Sequence, residues 1–365
     1  MMIMRPAETV TVMGMVRGWD GMAKLSTESV LFPQPDVMAY VARVARALHL
    51  DAAVRESLLD GNHGITQHII NAMTNHPHHR DLAQAGMDLL VHLLEGDAAD
   101  VAATRDTLRS QGALEAVVAC LDHHPADNDM LRSGASALQL LANEEDVLAA
   151  LRCIRGVTRL SVSGVTRLAG LALVPENVEL IFHYQGKALE QSNHLHHHLH
   201  PHRDTGLESL INLMEEALQV SSESNERNDT AMSILAGTAR TLGRLCTSRE
   251  RTAKAVELGA IGKLMRGLSM PGDDVDCTAA ALGAMARICA GEDTAHVHEF
   301  MATDDNVKKA LHSIRSHKNN RIVAQNGLAF MSGIAGSPRV STLAIENGSF
   351  GMCSRVRDGD GDGVD

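Results

Sequence analysis

The sequence predicts an all-α protein built from repeated helical units. Residues 63–95 align without a gap on residues 111–143, so that every pair of matched positions is 48 residues apart. No unit of such a repeat can bury its apolar face alone, so this period indicates a stack of neighbouring units. Apolar residues make up 44% of the chain and aromatic residues only 2%. The core must therefore consist of aliphatic side chains and methionine, which is typical of closely packed helices.

The chain opens with a segment that we expect to be irregular, residues 1–35. It ends in Pro33 and Pro35, whose missing backbone donors are unfavourable inside a helix. From Asp36 onwards the apolar residues recur at the three- and four-residue spacing of one helical face, which predicts a first, capping helix that stops before Gly61. The residues on this face are Val37, Tyr40, Val41, Val44 and Leu48.

The repeat continues along the rest of the chain with looser spacing. Residues 242–268 resemble residues 285–314, and Cys246 matches Cys289 at a separation of 43. Residues 331–352 resemble the start of residues 285–314, and residues 171–190 are a more degenerate copy. Together with the two copies in the first half, these segments predict about six units.

Each unit contains an apolar helix, a short polar break, a run that ends in glycine and a further apolar helix. This order resembles the armadillo repeat family over residues 50–350, with HEAT repeats as a near neighbour that the sequence separates poorly. The resemblance implies a right-handed α–α superhelix of three-helix units, a repeat domain over residues 36–350, and a concave surface lined by the third helices. The glycines that carry it are Gly86, Gly112, Gly134, Gly186, Gly259 and Gly348.

A histidine-rich stretch, residues 191–206, interrupts the stack, and Pro201 predicts a loop inserted within a unit. Neutral imidazoles bind zinc, copper and nickel, so metal binding is one interpretation, and compositional bias without a metal site is the other and the favoured one. The histidines concerned are His194, His196, His197, His198, His200 and His202.

The last fifteen residues, 351–365, end in a run of glycine and aspartate with nothing to bury, which predicts a disordered acidic segment. Asp358, Asp360 and Asp362 match the opening of a calcium-binding loop, but the glutamate required at its twelfth position is absent. We therefore expect a solvated segment rather than a calcium site.

The charge of the chain restricts its partners. Lys and Arg number 33 against 45 Asp and Glu, a net charge of −12, which disfavours nucleic acids and anionic membranes as ligands. The six cysteines form no CxxC pair and lie mostly in apolar stretches. They are typical of buried thiols in a reducing compartment, so we expect a location in the cytoplasm or nucleus.

Enzyme signatures are broken or missing. His298 and Glu299 begin an HExxH pattern, but Ala302 occupies the position of the second histidine. The chain also lacks a GxxxxGK[ST] phosphate loop and a GxSxG elbow. We expect no catalytic residue, no resident metal and no cofactor, although a site without a sequence signature remains an open third interpretation.

The resemblance to armadillo repeats implies a binding groove along the third helices. Alignment of the copies clusters arginines in the C-terminal half of the predicted groove, and arginine pairs with carboxylate or phosphate groups. The function predicted is a noncatalytic scaffold that binds a protein partner through an acidic or phosphorylated extended segment. An ordinary solvated helix face is the alternative for these residues, and a metal-handling protein that uses residues 191–206 is the alternative function. The predicted groove residues are His92, Arg167, Arg240, Arg244 and Arg287.

Overall fold

A computed structural model describes residues 34–48, 58–59, 65–95, 98–154, 158–184, 205–223, 228–270, 274–290 and 295–347. These residues contain eighteen helices and no β-strand, so the prediction of an all-α repeat protein is confirmed. The chain divides into two compact units, residues 1–142 and residues 143–365. The predicted leader up to Pro33, residues 191–204 of the histidine stretch and the segment 351–365 lie outside the described residues.

The first unit contains six of the helices, and they reproduce the sequence repeat. α2 and α5 have the same length and begin 48 positions apart, and so do α3 and α6. α1 packs against α2 and α3, as expected of a capping helix. It begins one residue earlier than predicted because proline is favoured at the first helical position. The helices are α1 (Pro35–Leu48), α2 (Ile65–Asn75), α3 (Arg80–Leu93), α4 (Ala98–Ser110), α5 (Ala113–His123) and α6 (Asn128–Leu141).

The second unit contains the remaining helices. The sets α9 to α11, α12 to α14 and α15 to α17 are three-helix repeats, whereas α8 is preceded by α7 alone. Gly206, which the sequence placed in the inserted loop, is the first residue of α10. The helices are α7 (Glu144–Cys153), α8 (Arg159–Leu171), α9 (Pro175–His183), α10 (Gly206–Glu223), α11 (Asp229–Leu245), α12 (Arg249–Glu257), α13 (Ala260–Gly267), α14 (Val275–Cys289), α15 (Ala295–Met301), α16 (Asp304–Ser316), α17 (Arg321–Ile334) and α18 (Pro338–Glu346).

The third helices begin at polar capping residues. His79, Asp127, Asn228, Asp274 and Asn320 each accept a backbone N–H bond from the first turn of their helix. Such caps satisfy donors that have no partner inside the helix, and each contributes about 1 kcal/mol. The polar break in every sequence unit is therefore the signal that separates the second helix from the third.

Glycines in the third helices allow the second helices to approach closely. A Cβ atom on Gly134 would lie 2.5 Å from Cδ2 of Leu121 in α5, and one on Gly86 would collide with Sδ of Met73 in α2. In the second unit, a Cβ atom on Gly327 would lie 2.7 Å from Cγ1 of Ile314. These distances are too short for real side chains, so a larger residue at any of these three positions would force the facing side chain to move.

A different role belongs to Gly112 and Gly259, which precede α5 and α13. Their φ values are +86° and +79°, in the left-handed region that glycine adopts at little cost. Glycine thus has two roles in the described repeats, since it allows close approach of helices at some positions and a left-handed backbone at others.

Helices of the second unit pack in two layers. The third-helix layer consists of α8, α11, α14 and α17, each against the next, and the second-helix layer consists of α10, α13 and α16. α11 is nearly enclosed, and Leu242 is fully buried, as are Met285 in α14 and Phe330 in α17. In the third-helix layer, Asn326 Nδ2 also donates a 2.8 Å hydrogen bond to the Ala279 carbonyl.

The cysteines behave as small apolar residues. Within the described part of the chain none forms a disulfide, and Cys120, Cys246, Cys277 and Cys289 are buried. Desolvation raises the pKa of each of these four thiols to about 12. Because the thiolate is the reactive form, they are inert at neutral pH.

Replacement of Gly134 by valine should destabilise the first unit, since the new side chain collides with Leu121. We expect a loss of about 1–3 kcal/mol in the free energy of unfolding, measured by urea titration. Gly267→Val is the matched control, because a Cβ atom there meets nothing within 4 Å. Equal effects of the two substitutions would show that the contact with Leu121 is unimportant.

Thiol reactivity should follow burial. In a Cys353→Ser background, five cysteines remain, of which only Cys153 is partly exposed. A chromogenic disulfide reagent at pH 8 should modify at most Cys153 in the folded protein and all five in denaturant. Rapid modification of two or more thiols in the folded protein would contradict the burial described above.

Candidate functional site

Four of the five predicted groove residues lie together on the third-helix layer. Arg167 is on α8, Arg240 and Arg244 are on α11, and Arg287 is on α14. His92 lies on α3 of the first unit. The sequence alignment thus assigned all five to third helices, but their environments differ sharply.

Arg244 differs from the expectation of an exposed groove residue. Its relative exposure is 7%, and its Nη1 donates to the carbonyl oxygen of Ala169 in α8. α8 and α11 approach so closely that a Cβ atom on Gly237 would collide with Val165. Arg244 therefore connects two buried helices and presents no exposed guanidinium to a partner.

Arg167 and Arg240 already have carboxylate partners. Arg167 Nη2 lies 3.1 Å from Asp146, whose side chain is 8% exposed and also closes the capping box at the start of α7. Arg240 Nη2 lies 2.5 Å from Asp276, so that this ion pair joins α11 to α14. Both guanidinium charges are compensated within the protein, and both pairs hold neighbouring helices together.

Arg287 is the exposed cation of this group. Its side chain runs across α11, because a Cβ atom on Gly243 would lie 3.4 Å from Cδ of Arg287. Among the described residues its guanidinium has no ion-pair or hydrogen-bond partner. Its surroundings on α14 are small, since Gly283, Ala286 and Ala290 are all partly or fully exposed. The result is a shallow surface with one available positive charge.

His92 belongs to a polar network in the first unit. Its Nδ1 lies 2.7 Å from the carbonyl oxygen of Asp88, one turn earlier in α3. The Asp88 carboxylate in turn bonds Arg46 of α1 at 3.0 Å and Ser133 of α6 at 3.0 Å. This carboxylate connects three helices, a role that the sequence did not reveal.

A groove on the second-helix layer was also missed by the sequence interpretation. It lies among α10, α13, α15 and α16 and has a volume of about 570 Å³. Three cationic side chains and the exposed Phe300 line it. The only sign of this groove in the sequence is that Lys263 and Arg266 lie on one face of α13. The other lining residues belong to helices far apart in the sequence, between Glu215 and Lys309.

The proposed metal sites remain untested or lack support. The histidines of residues 191–206 and the aspartates of residues 358–365 lie outside the described residues. Elsewhere in the described ranges no three His, Cys, Asp or Glu side chains cluster as metal ligands would. His298, the first residue of the broken HExxH pattern, has Nε2 3.2 Å from the Gly333 carbonyl and so contacts α17.

Comparison with known proteins gives little further guidance. No family model matches the chain, and no curated protein does. One similar solved structure concerns a conserved phosphorylation switch that controls the interaction between cadherin and beta-catenin. It aligns with 13% identity and a TM-score of 0.41, covering 89% of this chain. The present chain spans 59% of the chain in that structure, and at this level of similarity we transfer no property from it.

The helices were also compared with the requirements of a membrane span. None of those in the described residues is both long enough and apolar enough to cross a bilayer.

Proposed function

We propose that this chain is a noncatalytic protein-interaction scaffold of the armadillo type. Its ligand is an extended partner segment with carboxylate or phosphate groups, which binds along the third-helix layer of the second unit. The broken HExxH pattern and the missing phosphate loop support a noncatalytic role. The repeat order and the succession of three-helix units support the assignment to the armadillo type.

The observation that carries this proposal is the environment of Arg287. An exposed arginine without a partner can form paired hydrogen bonds with a carboxylate or phosphate and needs to break no existing bond. The small side chains of Ala286 and Ala290 beside it leave room for a peptide backbone, whereas the Asn326 side chain occupies the space at Gly283. Arg240 contributes less, because a ligand must compete with Asp276 for its guanidinium.

This assignment changes the choice of residues to test. Arg244 is buried, so its removal affects stability and cannot report on binding. Arg287 is exposed, so its removal should leave folding intact. The two arginines are equivalent in the sequence repeat but opposite in exposure.

Replacement of Arg287 by alanine should weaken binding of acidic peptides. A labelled twelve-residue peptide of alternating glutamate and glycine, with and without phosphoserine, is the probe, and fluorescence polarisation is the measurement. Loss of a charged hydrogen-bond partner costs about 1.5–3 kcal/mol, which lowers affinity roughly 10- to 100-fold. Raising salt to about 0.5 M should weaken the wild-type complex because screening shortens the range of charge interactions.

Arg339→Ala is the matched control, since Arg339 on α18 is exposed and lies outside the third-helix layer. It removes the same charge and should change affinity less than twofold. Equal binding by wild type and Arg287→Ala would refute the proposed surface, and equal losses in both variants would indicate a nonspecific effect of net charge.

A further inference from the structure

The groove on the second-helix layer combines an apolar floor with a cationic rim. Leu218 of α10 and Met265 of α13 line it and are nearly inaccessible, at 0% and 3% exposure. Phe300 of α15 also lines it and is 38% exposed. A Cβ atom on Gly262 would lie 3.7 Å from Cε2 of Phe300, so the absence of a side chain at Gly262 keeps the ring accessible.

The helices around this groove are firmly connected. Ser313 Oγ of α16 donates a buried 3.0 Å hydrogen bond to the Leu268 carbonyl, which follows α13 directly. Arg266 of α13 pairs with Glu215 of α10 at 2.6 Å. The groove therefore lies between packed helices of one unit and does not depend on a mobile element.

Positive charge dominates the lining of the groove. Three cationic side chains line it, those of Lys263, Arg266 and Lys309, and one carboxylate, that of Glu215. The Glu215 carboxylate pairs with both Arg266 and Lys263, and the Lys263 Nζ lies 3.7 Å from its Oε2. Lys309 pairs on its other side with Asp305, which is 72% exposed and does not line the groove. In a chain with a net charge of −12, such a local excess does not follow from the overall composition.

We propose that this groove is a second docking surface, which binds a short segment of a partner protein. The segment carries carboxylates on both sides of a large apolar side chain, which packs on Phe300 while the carboxylates pair with Lys263, Arg266 and Lys309. Charge complementarity selects an acidic ligand, and the exposed ring over an apolar floor selects an apolar anchor. This surface is formed by second helices together with Phe300 of α15, a first helix, and is independent of the binding proposed for Arg287.

The acidic segment of the same chain fits this chemistry poorly. Residues 357–365 supply four aspartates, but their one apolar side chain is that of Val364. The other apolar residues of the segment 351–365, Met352 and Val356, precede its first aspartate, Asp358, so no large apolar side chain lies between carboxylates. A partner in trans is the occupant that satisfies both requirements.

Synthetic peptides test the proposal on the full chain by fluorescence polarisation. The probe is a labelled peptide Asp-Asp-Leu-Phe-Asp-Asp, for which we expect saturable binding with a Kd of about 0.1 mM or tighter. Its analogues Asn-Asn-Leu-Phe-Asn-Asn and Asp-Asp-Ala-Ala-Asp-Asp should each bind at least about tenfold more weakly, since charge and apolar anchor are both required. Absence of saturation at about 1 mM, or equal binding of either analogue, overturns the proposal.

Variants of the chain locate the site. The double variant Lys263→Glu and Lys309→Glu should abolish binding of the acidic probe and create binding of the peptide Lys-Lys-Leu-Phe-Lys-Lys. Phe300→Ala should lower the affinity for the acidic probe at least about tenfold. Lys308→Glu and Ile345→Ala are matched controls, because both side chains are exposed and lie outside the groove. Arg287→Ala should leave binding of the probe unchanged, which separates this surface from the third-helix layer.

A peptide of residues 351–365, with serine in place of Cys353, decides between the two occupants. Under the proposal, this peptide displaces the labelled probe only at a concentration at least about tenfold higher than the unlabelled probe requires. Competition as strong as that of the unlabelled probe would assign the groove to the chain's own acidic segment and overturn the assignment to a partner. Unchanged binding in the charge-reversal variant would place the probe elsewhere and overturn the site.

Discussion

The fold depends on how closely neighbouring helices approach one another. No helix in a repeat of this kind buries its apolar face alone, so stability comes from contacts within and between units. In both units a glycine of the third helix faces a large aliphatic or methionine side chain of the second helix, and the pairs Gly134 with Leu121 and Gly327 with Ile314 are equivalent. At these positions the close approach depends on the absence of a side chain, whereas Gly237 of α11 and Gly283 of α14 face the third helices α8 and α17 instead.

The same close approach decides which polar side chains remain available for binding. Arg244 is enclosed between α8 and α11, whereas Arg167 and Arg240 pair with carboxylates of adjacent helices. Arg287 reaches the surface because its stem crosses the helix opposite at Gly243. Most of the arginines that the repeat places in the predicted groove therefore stabilise the stack, and one is available to a ligand.

The sequence predicted the helices well because their determinants are local. The 48-residue register reappears in the bounds of four helices, and the polar break between second and third helices coincides with capping residues such as Asp127 and Asn320. Proline at the start of α1 and left-handed glycine at Gly112 and Gly259 are likewise readable from single positions. These features require no knowledge of distant contacts.

The binding surfaces were less predictable because they depend on neighbours far away in the sequence. Arg244 is buried because α8 packs against α11, and the α8 residue whose carbonyl it bonds, Ala169, lies 75 positions away in the sequence. The groove near Phe300 needs side chains from four helices between Glu215 and Lys309. An alignment of repeats shows which positions are equivalent, but the packing of each neighbouring helix determines their exposure.

A double-mutant cycle on Gly327 and Ile314 tests most directly whether close helix approach holds the stack together. The substitutions are Gly327→Val, Ile314→Ala and both together, with the free energy of unfolding measured for each by urea titration. Since the smaller residue at position 314 makes room for valine, the double variant should be more stable than the sum of the single effects predicts, by at least about 1 kcal/mol. Additivity within about 0.5 kcal/mol would contradict the account, because it would mean that the two positions do not interact.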